Sequence, residues 1–100
     1  MELPYLVTLS NKASKDLIEL RRSGKGEKAE ALLNSLTEDP FSLKYEKLKG
    51  EAEGLFSVRI NAVDRLVFEI DESDDERYEG IVNVIRMRTH YKGILSIFIL

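Results

Sequence analysis

The chain has no cysteine, one histidine and two prolines among its 100 residues. Without cysteine there is no disulfide framework, no thiolate nucleophile and no zinc finger. A lone histidine, His90, cannot build a multi-histidine metal centre. No apolar run reaches the ~18 residues that cross a bilayer as a helix, so no membrane role is expected. The opening Met-Glu-Leu-Pro-Tyr lacks the basic stretch and apolar core of a secretory signal. A soluble, cytoplasmic protein is the expectation. A chain of this length buries roughly 65% of its unfolded surface, so residues 1–100 are expected to form one domain with a modest core.

Fifteen Lys and Arg stand against eighteen Asp and Glu, a net charge of −3. That balance argues against a strongly basic nucleic-acid binder. The acid is concentrated, however, in residues 71–80 (DESDDERYEG), and outside them basic side chains slightly outnumber acidic ones. A local basic surface is compatible with an acidic whole.

Leu3 to Leu9 is short and rich in Val, Leu and Tyr, as a first strand would be. Ser10 can cap the helix that follows, its hydroxyl accepting from an otherwise unpaired N–H. Ala13, Leu17 and Leu20 recur at helical spacing beside Ile18, and Lys12, Lys15, Asp16 and Glu19 are assigned to the outer face. Arg21 and Arg22 suit the negative end of the helix, which Ser23-Gly24 ends. A second helix runs from about Glu27 to Leu36, with Ala29, Leu32, Leu33 and Leu36 on one side, and Asp39-Pro40 stops it. The strand and helical pair thus occupy about residues 1–39.

From Phe41 the period changes to two. In GLFSVRI, Phe56, Val58 and Ile60 alternate with Ser57 and Arg59, a half-buried strand. Asn61 to Asp64 is a turn signal, Arg65 to Ile70 a returning strand, and the acidic 71–80 segment a second turn. Ile81 to Arg88 makes a third strand. The tail GILSIFIL is apolar enough for a fourth, pairing within the sheet or contacting a partner. This meander covers about residues 54–100. The expected fold is α+β, an N-terminal strand and helical pair packed on one face of a mainly antiparallel sheet.

Some residues do not fit a pure scaffold. Lys44, Glu46, Lys47 and Lys49 cluster just before a strand, Arg59 and Arg65 flank one tight turn, and Arg86, Arg88, His90 and Tyr91 crowd the end of another strand. Successive strands usually neighbour each other, so folding the meander gathers these groups. Such a set suits phosphodiester chemistry without metal. A carboxylate or histidine can take a proton from a ribose 2′-hydroxyl while a second acid protonates the leaving oxygen, each role worth roughly 10²–10⁴ in rate. Arginines stabilise the charge that builds on the phosphorane, and tyrosine can stack on an unpaired base. The plain alternative for Arg59 and Arg65 is a surface position or an ion pair with Glu69 or Asp64.

Order and spacing narrow the choice. The stretch YEKLKGEAEGLFSVRINAVDRLVFEI, followed by VIRMRTHY, closely resembles the Txe/YoeB toxins of the RelE/ParE superfamily. The shared pattern is E-x-L-K at Glu46 to Lys49, G-x-x-S-x-R-I-N at Gly54 to Asn61, R-L-V-F at Arg65 to Phe68, and the pair His90-Tyr91. The resemblance implies a RelE-like fold and the toxin half of a bacterial toxin–antitoxin pair, acting as a ribosome-dependent endoribonuclease on A-site mRNA. It implies Glu46 as general base, His90 as general acid, Arg65 on the scissile phosphate and Tyr91 against the nucleotide. Lys49, Arg59 and Arg88 are implied helpers in phosphate binding. No cofactor is implied. The implied partners are a cognate antitoxin with a DNA-binding N-terminal half, and the ribosome. The family usually ends near the His-Tyr pair, whereas here residues 92–100 follow, and their apolar character suggests a homodimer contact. Two rivals come from other classes: a noncatalytic ParE-like inhibitor of a protein such as gyrase, and an oligomeric interaction module. The presence of both Glu46 and His90 disfavours the inhibitor, which has no use for an acid–base pair.

Overall fold

The computed structural model of the chain describes residues 2–89. His90, Tyr91 and the apolar tail, with the fourth meander strand expected there, lie outside the described residues. The elements run β1 (Tyr5–Leu9), α1 (Asn11–Arg22), α2 (Gly26–Glu38), β2 (Tyr45–Lys47), β3 (Phe56–Arg59), β4 (Arg65–Asp71) and β5 (Gly80–Thr89). The strands form one sheet in the order β1-β5-β4-β3-β2. Pairing from β2 to β5 is antiparallel, and β1 lies parallel to β5, with Tyr5 opposite Gly80 and Leu9 opposite Val84. The α+β architecture matches expectation. Among the described residues no helix is long and apolar enough to cross a membrane.

Local signals in the sequence mark three of the four helix ends. Ser10 Oγ accepts from the Ala13 N–H at 3.0 Å and donates to the Ile85 carbonyl at 2.7 Å, so one hydroxyl starts α1 and ties it to β5. Gly24, at φ +76°, takes the left-handed conformation just past the end of α1. Asp39 leaves the helical region ahead of Pro40 and caps the short turn Pro40–Ser42 by accepting from the Phe41 N–H.

The main core lies between the helices and the sheet. Ala13, Leu17, Leu20, Ala29 and Leu36 meet Val58, Ile60, Leu66, Phe68, Val82, Val84 and Met87 there. Each large side chain in this set contributes about 1.5–3 kcal/mol relative to exposure. Phe56 stacks on Phe68 with centroids 5.4 Å apart, and Tyr45 meets Phe56 edge-on at 5.5 Å. These rings carry the core out to the edge strand β2.

Two assignments are corrected. Asp16 does not belong to the solvent face of α1: it is 9% exposed and paired with Arg86. Ser57 is not on an open polar face either, being 1% exposed. The cause is a second, smaller cluster in which Leu48, Ala52, Leu55 and Val67 pack with Ile85. Val67 alternates with Leu66 and Phe68, so this cluster sits on the sheet face away from the helices.

Candidate active site

The segment from Lys44 to Lys49 contains a strand where only a charged approach to a strand was expected. Tyr45, Glu46 and Lys47 form β2, paired with Val58, Ser57 and Phe56 of β3. Gly50 and Gly54, at φ +67° and +94°, frame the turn Gly50–Ala52, and the Leu48 N–H donates to the Leu55 carbonyl at 3.0 Å to close the connection. Alternation does the rest. Tyr45 faces the helical core and Glu46 faces the other way.

The β3–β4 hairpin sets the arginines. Asn61 Oδ1 accepts from the N–H groups of Val63 and Asp64, both at 2.9 Å, and Asn61 Nδ2 donates to Asp64 Oδ2 at 3.0 Å. This side chain fixes the turn. Lys25 Nζ stands 4.0 Å from Asp64 Oδ2, which engages Asp64 with the helical pair rather than with Arg59 or Arg65. Arg59 and Arg65 then fall directly opposite each other in register.

Glu46, Ser57 and Arg65 meet on the face away from the helices. Arg65 Nη1 donates to Ser57 Oγ at 3.3 Å and lies 3.6 Å from Glu46 Oε2. The second distance is an ion pair rather than a hydrogen bond. The two side chains differ in exposure, 14% for Arg65 and 57% for Glu46. A carboxylate open to solvent thus stands against a guanidinium that the fold largely encloses. Such an arginine is a fixed positive charge with a planar fork suited to a phosphate.

The remaining candidates divide. Arg59 shares the face and is exposed, and neither Arg59 nor Lys49 makes an ion pair among the described residues. Lys49 lines a shallow hollow of about 410 Å³ with Lys47, Gly54, Leu55 and Phe56, beside the end of β2. Arg88 reaches toward α1, its Nη1 3.9 Å from Glu19 Oε2. His90 and Tyr91 lie outside the described residues. The register does set Thr89, the residue before His90, opposite Arg65.

Sequence reasoning passed over Ser57 and Asp16. Ser57 stood inside the quoted G-x-x-S-x-R-I-N pattern, and that placement was the available signal. Nothing in the local pattern marks Asp16, whose partners lie 70 and 71 residues away.

Comparison with known proteins agrees with this fold. The family model described as "YoeB-like toxin of bacterial type II toxin-antitoxin system" matches residues 11–91. The chain is similar to a YoeB/ParE toxin from Agrobacterium tumefaciens, with 29% identity over 86% of this chain and 99% of that one, at a TM-score of 0.73. It is also similar to a chain of the YoeB-YefM complex from Staphylococcus aureus, with 26% identity over 87% and 98% and a TM-score of 0.64. A third likeness is to the toxin-antitoxin complex RelBE2 from Mycobacterium tuberculosis, with 27% identity over 88% and 100% and a TM-score of 0.64. Among curated proteins none matches the sequence.

Proposed function

The chain belongs to the YoeB-like toxins of bacterial type II toxin–antitoxin systems, and on that footing we propose that it is a ribosome-dependent endoribonuclease acting on A-site mRNA. The observation that carries the reading is the exposed Glu46 carboxylate 3.6 Å from the largely buried Arg65 guanidinium. In this reading Glu46 takes the proton from a ribose 2′-hydroxyl, and the oxygen attacks the adjacent phosphorus. Arg65 holds the phosphate and stabilises the extra negative charge of the phosphorane. His90 protonates the departing 5′-oxygen, and Tyr91 holds the nucleotide. The products are a 2′,3′-cyclic phosphate and a 5′-hydroxyl, which balances the step without an added water. Arg59, Lys49 and Arg88 assist in phosphate binding.

A cognate antitoxin is part of the proposal, and the similarity to chains solved in the YoeB-YefM and RelBE2 complexes supports it. The protein acts in the cytoplasm, where ribosomes and antitoxin are found. The test is cleavage of mRNA on programmed ribosomes by the purified protein, with the ends mapped. Cuts in the A-site codon that vanish when the attacking ribose carries 2′-deoxy support the reading. Intact mRNA together with inhibited gyrase would replace it with the inhibitor reading.

A further inference from the structure

Asp16 is a buried carboxylate for which the proposed chemistry has no use. Its side chain is 12% exposed, and it accepts three hydrogen bonds from β5: Arg86 Nε at 2.8 Å and the Met87 N–H at 3.0 Å on Oδ2, and Arg86 Nη2 at 3.3 Å on Oδ1. Burying a carboxylate costs several kcal/mol unless donors replace its water, and here they do. An ion pair of this kind often adds little net stability over well-packed apolar residues of the same volume. Its place in the sheet gives it another use.

The β4–β5 ladder is irregular next to Asp16. Arg65 pairs with Thr89, Val67 with Arg86 and Phe68 with Val84, so the register slips twice within a few residues. A slipped register leaves backbone groups unpaired and re-aims the strand beyond it. The Met87 N–H is one such group, and Asp16 accepts from it. The same helix holds β5 on either side of this point. At its N-cap the Ser10 hydroxyl donates to the Ile85 carbonyl at 2.7 Å, and further along Glu19 Oε2 lies 3.9 Å from Arg88 Nη1. Helix α1 thus runs along the last half of β5 and fixes it at successive residues.

We propose that Asp16 is a positioning residue, which through Arg86 and the Met87 amide fixes the course of residues 87–89 beside Arg65. This rests on the nuclease reading for its effect on activity, but not for the anchoring itself. Misplacing a catalytic group by about 1 Å can cost around 10²-fold in rate without touching the chemistry.

The experiment uses the full chain with Asp16→Ala and Asp16→Asn. Both are checked for folding by circular dichroism, then assayed for cleavage on ribosomes and for amide hydrogen exchange. For Asp16→Ala, kcat falls about tenfold or more while KM stays within about twofold, because substrate contacts remain and alignment does not. The Met87 amide exchanges faster in this variant, with α2 unchanged. Asp16→Asn, which still offers an oxygen to that amide, recovers most of both losses. If Asp16→Ala does not fold, Arg86→Lys takes its place, keeping the charge and losing the fork. Wild-type kcat in a variant whose Met87 amide exchanges fast overturns the proposal. So does an Asp16→Asn as impaired as Asp16→Ala, or a loss that merely follows the unfolded fraction. A wild-type protein that cuts no ribosome-bound RNA overturns the nuclease reading instead. The exchange data then decide the anchoring alone.

Discussion

Glu46 and Arg65 belong to strands that do not pair with each other. β3 lies between β2 and β4, and the Arg65 side chain crosses it, donating to Ser57 on the way, to reach within 3.6 Å of Glu46. The charge pair is therefore a property of the folded sheet, with no local sequence equivalent.

Glu46→Gln tests the general base. The side chain is 57% exposed, and an exposed ion pair is worth about 0–1 kcal/mol, so the thermal midpoint moves little. The amide cannot take the 2′-hydroxyl proton, and the cleavage rate falls ~10²-fold or more. Full cleavage by a well-folded Glu46→Gln protein rules Glu46 out as the base.

Ser57→Ala tests the support beneath Arg65. Removing the buried hydroxyl leaves a guanidinium N–H without its partner, at a cost of about 1 kcal/mol in stability. Arg65 then has one fixed contact fewer, and cleavage falls about tenfold through kcat. Unchanged kinetics in single-turnover assays show that Arg65 is held by the sheet alone.

Arg65→Glu places a second carboxylate beside Glu46. Cleavage is abolished, since the phosphate loses its cation and meets a like charge. Antitoxin affinity, measured by calorimetry on the same preparation, falls less for a partner that folds as it binds, because such a segment spreads its contacts over a large surface. Cleavage that survives in a folded Arg65→Glu protein refutes the active-site placement.

Asp75, between β4 and β5, offers a titration. Hydrogen bonds from the Arg77 side chain, and then from its backbone N–H, lower the Asp75 carboxyl to about 2. A carboxyl depressed on folding binds its proton more readily in the unfolded chain. Its stabilisation is present above the usual carboxylate range and is lost as pH falls toward about 2. Carbon NMR of the Asp75 carboxyl reads the midpoint directly. Arg77→Gln raises it toward the usual range and lowers the neutral-pH melting temperature only slightly, because the pair is at the surface. A midpoint that ignores Arg77→Gln refutes the assigned cause.

The helices were legible because their caps and apolar spacing are local: Ser10, Ser23-Gly24 and Asp39-Pro40 each mark an end within a turn of it. The turn at Asn61 to Asp64 was legible for the same reason. β2 was not, since three residues amid lysines carry no period to count, and the strand exists because Tyr45 packs on Phe56. Ser57 read as an outward polar residue because alternation sees one core, whereas Leu48, Ala52, Leu55 and Val67 build a second. Asp16 read as surface because a carboxylate on a helix normally is. Of the candidate site, Glu46 and Arg65 were legible from the resemblance, but their contact was not.

The parallel pairing of β1 with β5 bears on how the protein comes into being. Tyr5 and Gly80 meet across 75 residues of chain, so among the described residues β1 has no partner strand until β5 has been made. Contacts of such separation form late and slowly, since the chain closes a long loop before any of them stabilise it. Arg65 waits on the same event, because β4 gains its second neighbour only when β5 arrives beside it. A chain that ends before β5 therefore lacks a strand neighbour of both β1 and β4. The five-stranded sheet that carries Glu46 and Arg65 forms only after residues 80–89 have been made.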